Sequence, residues 1–196
     1  APAFTGAPGA ARTPDYLPWL AGKTLHYRVT IAAGAASDDL ELVRTFGQVS
    51  PDGREATLMA AWLHLGNPLD HETVRVRRGP DGYEAADPAV GTWAPFLKLP
   101  LAATHTYAVP SQILISRHFP AVPQRVAQTG RGVETVTVPA GRYAAYRVDL
   151  RLGGTLAGAP FSQTAALWLA PGVGEVRFEQ HWEGVSLVRE LTEIEP

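Results

Sequence analysis

The stretch Thr24-Leu25-His26-Tyr27-Arg28-Val29-Thr30-Ile31 sets apolar Leu25, Tyr27, Val29 and Ile31 against polar Thr24, His26, Arg28 and Thr30 without a break. Successive side chains of a strand point to opposite faces, so this period of two predicts a strand with one dry and one wet face. The same period recurs toward the C-terminus. Gly34 to Asp39 reads as a turn and Leu40 to Val49 as a second strand, after which Ser50, Pro51, Asp52 and Gly53 supply the residue types of a tight hairpin turn. Ala56 to Leu65 is apolar on both alternating sets apart from His64, which predicts a strand that is central or covered on both faces. Val74 and Val76 alternate with Thr73, Arg75 and Arg77, and Gly79-Pro80-Asp81-Gly82 turns the chain into Tyr83 to Ala86.

Asp87 to Leu101 holds Trp93, Phe96 and Leu99 among proline and glycine, and reads as an apolar loop lying over the core. Thr104 to Val109, Gln112 to Phe119, Arg125 to Thr129 and Val133 to Val138 follow as short β-type runs, with Gly130-Arg131-Gly132 as a turn between the last two. Ala144, Tyr146, Val148, Leu150 and Leu152 then form the dry face of a long strand. Gly153 to Pro160 reads as a wide turn, Phe161 to Leu169 as a strand, and Val176 to Trp182 and Val185 to Ile194 as the last two. No window of ten residues carries helical spacing and caps; the nearest is a short turn near Thr13 to Leu17. The expected fold class is all-β: a single antiparallel meander of about ten or eleven strands, forming a curved sheet or incomplete barrel. A two-sheet β-sandwich is the alternative.

Composition bounds the rest. The 196 residues suffice for one well-filled domain, and nineteen Gly with seventeen Pro fit a fold rich in turns. Residues 1–14 are dominated by Ala, Pro and Gly and read as a flexible tether; 15–196 read as a single β domain. The chain begins at Ala1 rather than Met, from which an upstream segment removed by processing is expected. Seventeen basic against nineteen acidic side chains leave a net charge of −2, too weak a field to draw in nucleic acid. Cysteine is absent, which excludes disulfides, thiolate metal sites and thiol catalysis. No run approaches the ~18 apolar residues of a membrane span.

Chemistry-bearing motifs are few. The six histidines, at 26, 64, 71, 105, 118 and 181, show no paired metal-ligand spacing, so no metal and no cofactor is expected. His71 and His181 read as exposed, and His64 as a core or pocket histidine. The serines, at 37, 50, 111, 116, 162 and 186, lie in no nucleophile-elbow context, and the Gly-x-Gly fragments lead into strands rather than helices. No catalytic residues are assigned, and a non-enzymatic protein is expected. The aromatics say more. Tyr27, Trp62, Tyr146, Trp168 and Phe178 fall where a curved sheet would turn them to its concave side, either as core or as the lining of a hydrophobic cavity. Arg147, Asp149, Arg151, Glu175, Arg177, Glu179 and Glu183 read as a mixed-sign wet strip.

Two segments carry a resemblance. Val136-Thr137-Val138-Pro139-Ala140-Gly141-Arg142-Tyr143-Ala144-Ala145 is followed by Leu167-Trp168-Leu169-Ala170-Pro171-Gly172-Val173-Gly174-Glu175-Val176, and Tyr16-Leu17-Pro18-Trp19 opens the domain. The pattern resembles the DUF3108-like group of exported bacterial proteins and lipoproteins, loosely similar to the LolA and LolB carriers and receptors of bacterial lipoproteins. The resemblance implies an extracytoplasmic protein of the bacterial periplasm or cell envelope, with a lipid anchor upstream as one option. The expected partner is a hydrophobic small molecule, a lipid or acyl chain, held in the concavity. A structural or accessory subunit that binds another envelope protein, through a sheet edge or the Asp87 to Leu101 loop, is the alternative, and a hydrolase the third.

Overall fold

The computed structural model describes residues 14–86, 91–110, 123–156 and 158–196. The expected tether, apart from Pro14, and the expected strand Gln112 to Phe119 lie outside these residues. Among the described residues the regular elements are all strands: β1 (Thr24–Ala33), β2 (Ala36–Val49), β3 (Glu55–His64), β4 (Asn67–Gly79), β5 (Gly82–Ala86) and β6 (Trp93–Lys98) form the first half. The second half is β7 (Thr104–Pro110), β8 (Pro123–Val138), β9 (Gly141–Leu156), β10 (Ala159–Ala170), β11 (Gly174–Trp182) and β12 (Val185–Glu195). They make one antiparallel 12-stranded sheet in the order β6-β5-β4-β3-β2-β1-β12-β11-β10-β9-β8-β7. The sheet curls into a nearly closed barrel, as the alternation predicts; a sheet of this length cannot stay flat because every strand pair adds twist.

Among the described residues the strands depart from the expected ones at identifiable places. Trp93–Lys98 is a strand and not a loop: Pro95 weakens the sequence signal, but β6 ends the sheet order, where a missing N–H is tolerated. Arg125 to Val138 is one strand, and Gly130-Arg131-Gly132 is a bulge inside β8 rather than a turn, with the register against β9 shifting between Gly130 and Gly132. A Cβ on Gly130 would sit 1.9 Å from the Leu101 carbonyl oxygen, so glycine is required for the β6–β7 connection to cross it. The turns around Gly34 and Gly158 are shorter than expected, because β2 begins at Ala36, β9 runs to Leu156 and β10 begins at Ala159. β3 is interior to the sheet order but covered on one face only, and Met59 on its outer face is 42% exposed.

The two strands that end the sheet order are consecutive in sequence, and their meeting closes the barrel without a backbone ladder. Gln128 of β8 inserts its amide there. The Lys98 N–H donates to Oε1 at 2.9 Å, and Nε2 donates to the Lys98 carbonyl at 2.8 Å, so one side chain imitates a paired strand residue. Tyr107 of β7 donates from its hydroxyl to the Phe96 carbonyl and to Gln128 Oε1, at 3.0 and 3.2 Å. Burial pushes the Tyr107 hydroxyl far above the ordinary tyrosine range.

Inside the barrel the alternating sets meet in register. Tyr27 faces Leu42 and Leu191, and Leu42 faces Trp62, so one ring of side chains runs across four strands. Leu42, Val29 and Leu191 are fully buried, each contributing on the order of 1.5–3 kcal/mol. Residues 14–23 lie across one end of the barrel. Ala21 bridges Phe46, the Gly172 N–H donates to the Asp15 carbonyl, and Asp15 accepts from Arg78 and from the Tyr83 hydroxyl. Trp19 packs on Phe46 and Tyr83 at 5.7 and 6.0 Å between ring centroids. Asp15 Oδ1 also accepts from the Leu17 N–H, so this stretch is a bend and not a helical turn.

Candidate functional site

Beneath that end segment lies a cavity of about 320 Å³, at the lower end of the range for small-molecule sites. Leu17, Pro18 and Trp19 form its cover; inward residues of β1 to β6 and β9 to β12 form its walls. The walls are mostly apolar, with Leu25, Phe46, Leu58, Val74, Leu150, Leu152, Ala165, Leu167 and Leu187 among them. These positions follow directly from the period-two patterning, since one phase of every strand must face the concave side of a curled sheet.

Three charges interrupt this lining together. Arg189 of β12 donates from Nε and one terminal nitrogen to the two carboxylate oxygens of Glu175, at 2.6 and 2.9 Å. Arg44 of β2 approaches the same carboxylate at 3.4 Å and lies over the Tyr27 ring, 5.2 Å from its centroid. Arg44 Nε is buried with no hydrogen-bond partner. The Tyr27 hydroxyl donates to the Glu175 carbonyl at 3.0 Å, and burial pushes its pKa up to about 12. Burial alone would raise the Glu175 carboxyl, but the Arg189 and Arg44 guanidiniums outweigh it and hold the group below the usual carboxylate range. Arg189 is drawn down by burial and by Arg44, while Glu175 holds Arg44 up against its own burial. Two guanidiniums share one carboxylate, and Arg44 holds the weaker share of it. Glu72 of β4 also lines the cavity, and the register places it opposite Ala60, which in turn faces Arg44.

Of the five aromatic residues assigned to the concave side, Tyr27, Trp62 and Phe178 line the cavity together. Tyr146 points inward but packs edge-on against Tyr16, with centroids 5.8 Å apart, and is not among the lining. Trp168 lies elsewhere. Arg147 and Arg177 cover its ring at 5.1 and 5.6 Å from the centroid, and its indole N–H donates to Glu134. The ring is buried in a cluster that includes Val136, Ala145, Ala166 and Val176, and the arginines over it belong to the wet strip, in which Arg177 bonds Glu179 and Glu190, and Asp149 accepts from Arg131 and Arg147. Glu175 leaves that strip for the interior. The register between β10 and β11 shifts at Trp168/Leu169, so Glu175 opposes Leu169 and turns inward, a bulge that strict alternation does not forecast. His64 is neither core nor cavity: it stands half-exposed near the β3–β4 turn, 3.2 Å from Asp38. His71 and His181 are exposed.

Arg44 and Arg189 were missed by sequence reasoning, yet a signal exists. Leu40, Leu42, Arg44 and Phe46 form one phase of β2, and Val185, Leu187, Arg189 and Leu191 one phase of β12. A charge inside an otherwise apolar phase has to be paired or used.

No family model matches the chain, and no curated protein matches it. Solved structures do. The fold is similar to that of a candidate exported protein with a YmcC-like fold from Bacteroides fragilis, at a TM-score of 0.60 and 16% identity, over 94% of this chain and 100% of that one. It is similar as well to a candidate lipoprotein from Parabacteroides distasonis, at a TM-score of 0.61 and 12% identity, again over 94% and 100% of the two chains. At such identities the likeness is one of fold.

Proposed function

We propose that this chain is a non-enzymatic protein of the bacterial cell envelope that binds a hydrophobic small molecule, a lipid or acyl chain, inside the barrel. The observation that carries the reading is the 320 Å³ cavity with predominantly apolar walls under a cover of Leu17, Pro18 and Trp19. A filled interior would be worth more to stability, since empty apolar space forfeits dispersion contacts on every side. A wall of alternating aliphatic and aromatic side chains suits a flexible hydrocarbon, which needs surface rather than directed hydrogen bonds. An extracytoplasmic location is part of the proposal, and the two structures of similar fold, one of a candidate exported protein and one of a candidate lipoprotein, support it.

The test is native mass spectrometry of the protein purified from its own envelope, followed by organic extraction. A stoichiometric lipid-like adduct is the expected result. A bare mass, together with no uptake of fluorescent fatty acid by the same sample, would overturn the reading.

A further inference from the structure

Resting on that reading, we infer that the cavity is built for an amphiphile with an anionic head, and that Arg44 is the residue that pairs with the head. Glu175 is already satisfied by the two-point grip of Arg189, which uses both carboxylate oxygens. Arg44 reaches that carboxylate only at 3.4 Å, and its Nε donor is buried with no acceptor. A guanidinium whose hydrogen bonds are incomplete is costly, and the Arg44 side chain keeps about a fifth of its surface accessible while lining the cavity, so an anion in the cavity can pair with the guanidinium even though Nε itself is buried.

Geometry supports the same assignment. Arg44 is held in place, over the Tyr27 ring and beside Glu175, so little side-chain entropy remains to be lost on binding. It lines the cavity together with Tyr27, Phe178 and Leu187. A hydrocarbon tail would lie against the apolar walls while its head met the Arg44 guanidinium. The Glu72 carboxylate, two strands away in register, confines an anionic head to the side of the cavity where Arg44 and Arg189 stand. Carboxylate and phosphate heads share this chemistry, since a guanidinium donates two parallel hydrogen bonds to either.

Arg44 is also dispensable to the local charge balance. Removing it leaves Glu175 and Arg189 as a matched pair, so Arg44→Met strands no buried carboxylate.

The experiment follows the intrinsic fluorescence of the wild-type protein, in which Trp19 and Trp62 border the cavity, during titration with dodecanoic acid, dodecyl phosphate and dodecanol near neutral pH. The anionic ligands are expected to bind about 10- to 100-fold more tightly than the alcohol, the worth of one charge-assisted hydrogen-bonded pair. In Arg44→Met this preference should vanish while dodecanol binding persists. A preference for phosphate over carboxylate, or the reverse, identifies which head the site takes. Equal binding of acid and alcohol by the wild-type protein would overturn the role of Arg44 and leave the hydrophobic-ligand reading standing. No binding of any of the three would overturn both. The comparison of acid with alcohol needs no variant, so it decides even if Arg44→Met fails to fold.

Discussion

Replacing Gln128 by leucine removes the side chain that joins the ends of the sheet. In the native barrel its amide pairs with both backbone groups of Lys98, at 2.9 and 2.8 Å, and its Oε1 accepts from Tyr107 at 3.2 Å. Gln128→Leu keeps the bulk but offers neither donor nor acceptor. The Tyr107 hydroxyl keeps the Phe96 carbonyl, so the loss falls on the Lys98 N–H and C=O. Each buried backbone group left without a partner costs roughly 1–3 kcal/mol, and partial access of water at the seam discounts the pair to about 2–4 kcal/mol. For a chain of this length that corresponds to a fall in Tm of roughly 5–15 °C. Chemical denaturation of both proteins measures it directly. Gln128→Glu supplies a second arm: an ionised carboxylate can accept from Lys98 but cannot donate to its carbonyl, and protonation restores the donor. Its deficit should shrink on acidification. A Gln128→Leu variant within about 0.5 kcal/mol of wild type, or a Gln128→Glu deficit that ignores pH, would refute the claim that this amide closes the barrel.

His26 lies between Glu41, 2.9 Å from Nδ1, and Glu195, 3.4 Å from Nε2, and its pKa is raised chiefly by the Glu41 hydrogen bond. A folded-state pKa above 6.5 means that the stabilisation is fully present below pH 6.5 and lost as pH rises through the folded value; His26→Gln should therefore trail wild type in acid and close the gap in base, and a gap constant in denaturation curves across that window would contradict it. Leu65 holds φ at 50°, paired with Gly66 at 79°, in the β3–β4 turn, and its side chain is 85% exposed. Asparagine tolerates that conformation, so Leu65→Asn should gain about 1 kcal/mol, read as a Tm rise of a few degrees; an unchanged or lower Tm would refute the strain argument. Trp168→Ala should cost roughly 3–5 kcal/mol because the ring is buried, yet leave uptake of a fluorescent fatty acid intact, whereas Trp62→Ala should change that uptake. Equal effects of the two variants on uptake would remove the distinction drawn between a structural and a cavity-lining tryptophan.

What was legible in the sequence was whatever the period of two controls. Leu25, Tyr27, Val29 and Ile31 announce β1 because one face of a curled sheet is dry along its whole length, and the same logic places Tyr27, Trp62 and Phe178 on the cavity wall. The failures at β8 and β6 share one physical cause, interruption of that period. At β8 the glycine pair resembles a turn because turns and bulges both need a permissive backbone. At β6, Pro95 reads as a strand breaker, and only the place of β6 at the end of the sheet order, which no local pattern reveals, makes it harmless. At β10, Trp168 sits in the phase opposite to Leu167, and the aromatic character that nominated it for the cavity is spent instead between Arg147 and Arg177.

The same interruption assembles the charged cluster. Glu175 shares its alternation with Arg177 and Glu179, which bond each other outside the barrel. If β10 and β11 paired without a shift, Glu175 would stand with them, and Arg44 and Arg189 would face each other's charge inside the barrel with no carboxylate between them. The bulge at Trp168/Leu169 delivers one carboxylate for two guanidiniums. Glu72 balances the lining as a whole but stands two strands from Arg44, so Arg44 is left without a close two-point partner; a fold that needed only stability would replace it by an apolar residue of like size, since a buried charge pair is rarely more stable than good apolar packing. The arrangement therefore argues that the unmatched guanidinium is retained for something that enters the cavity. Arg44→Met tests this through stability as well as binding. If Arg44 serves a ligand, its removal should leave denaturation of the empty protein unchanged or improved; a loss of several kcal/mol would instead mark it as part of the scaffold.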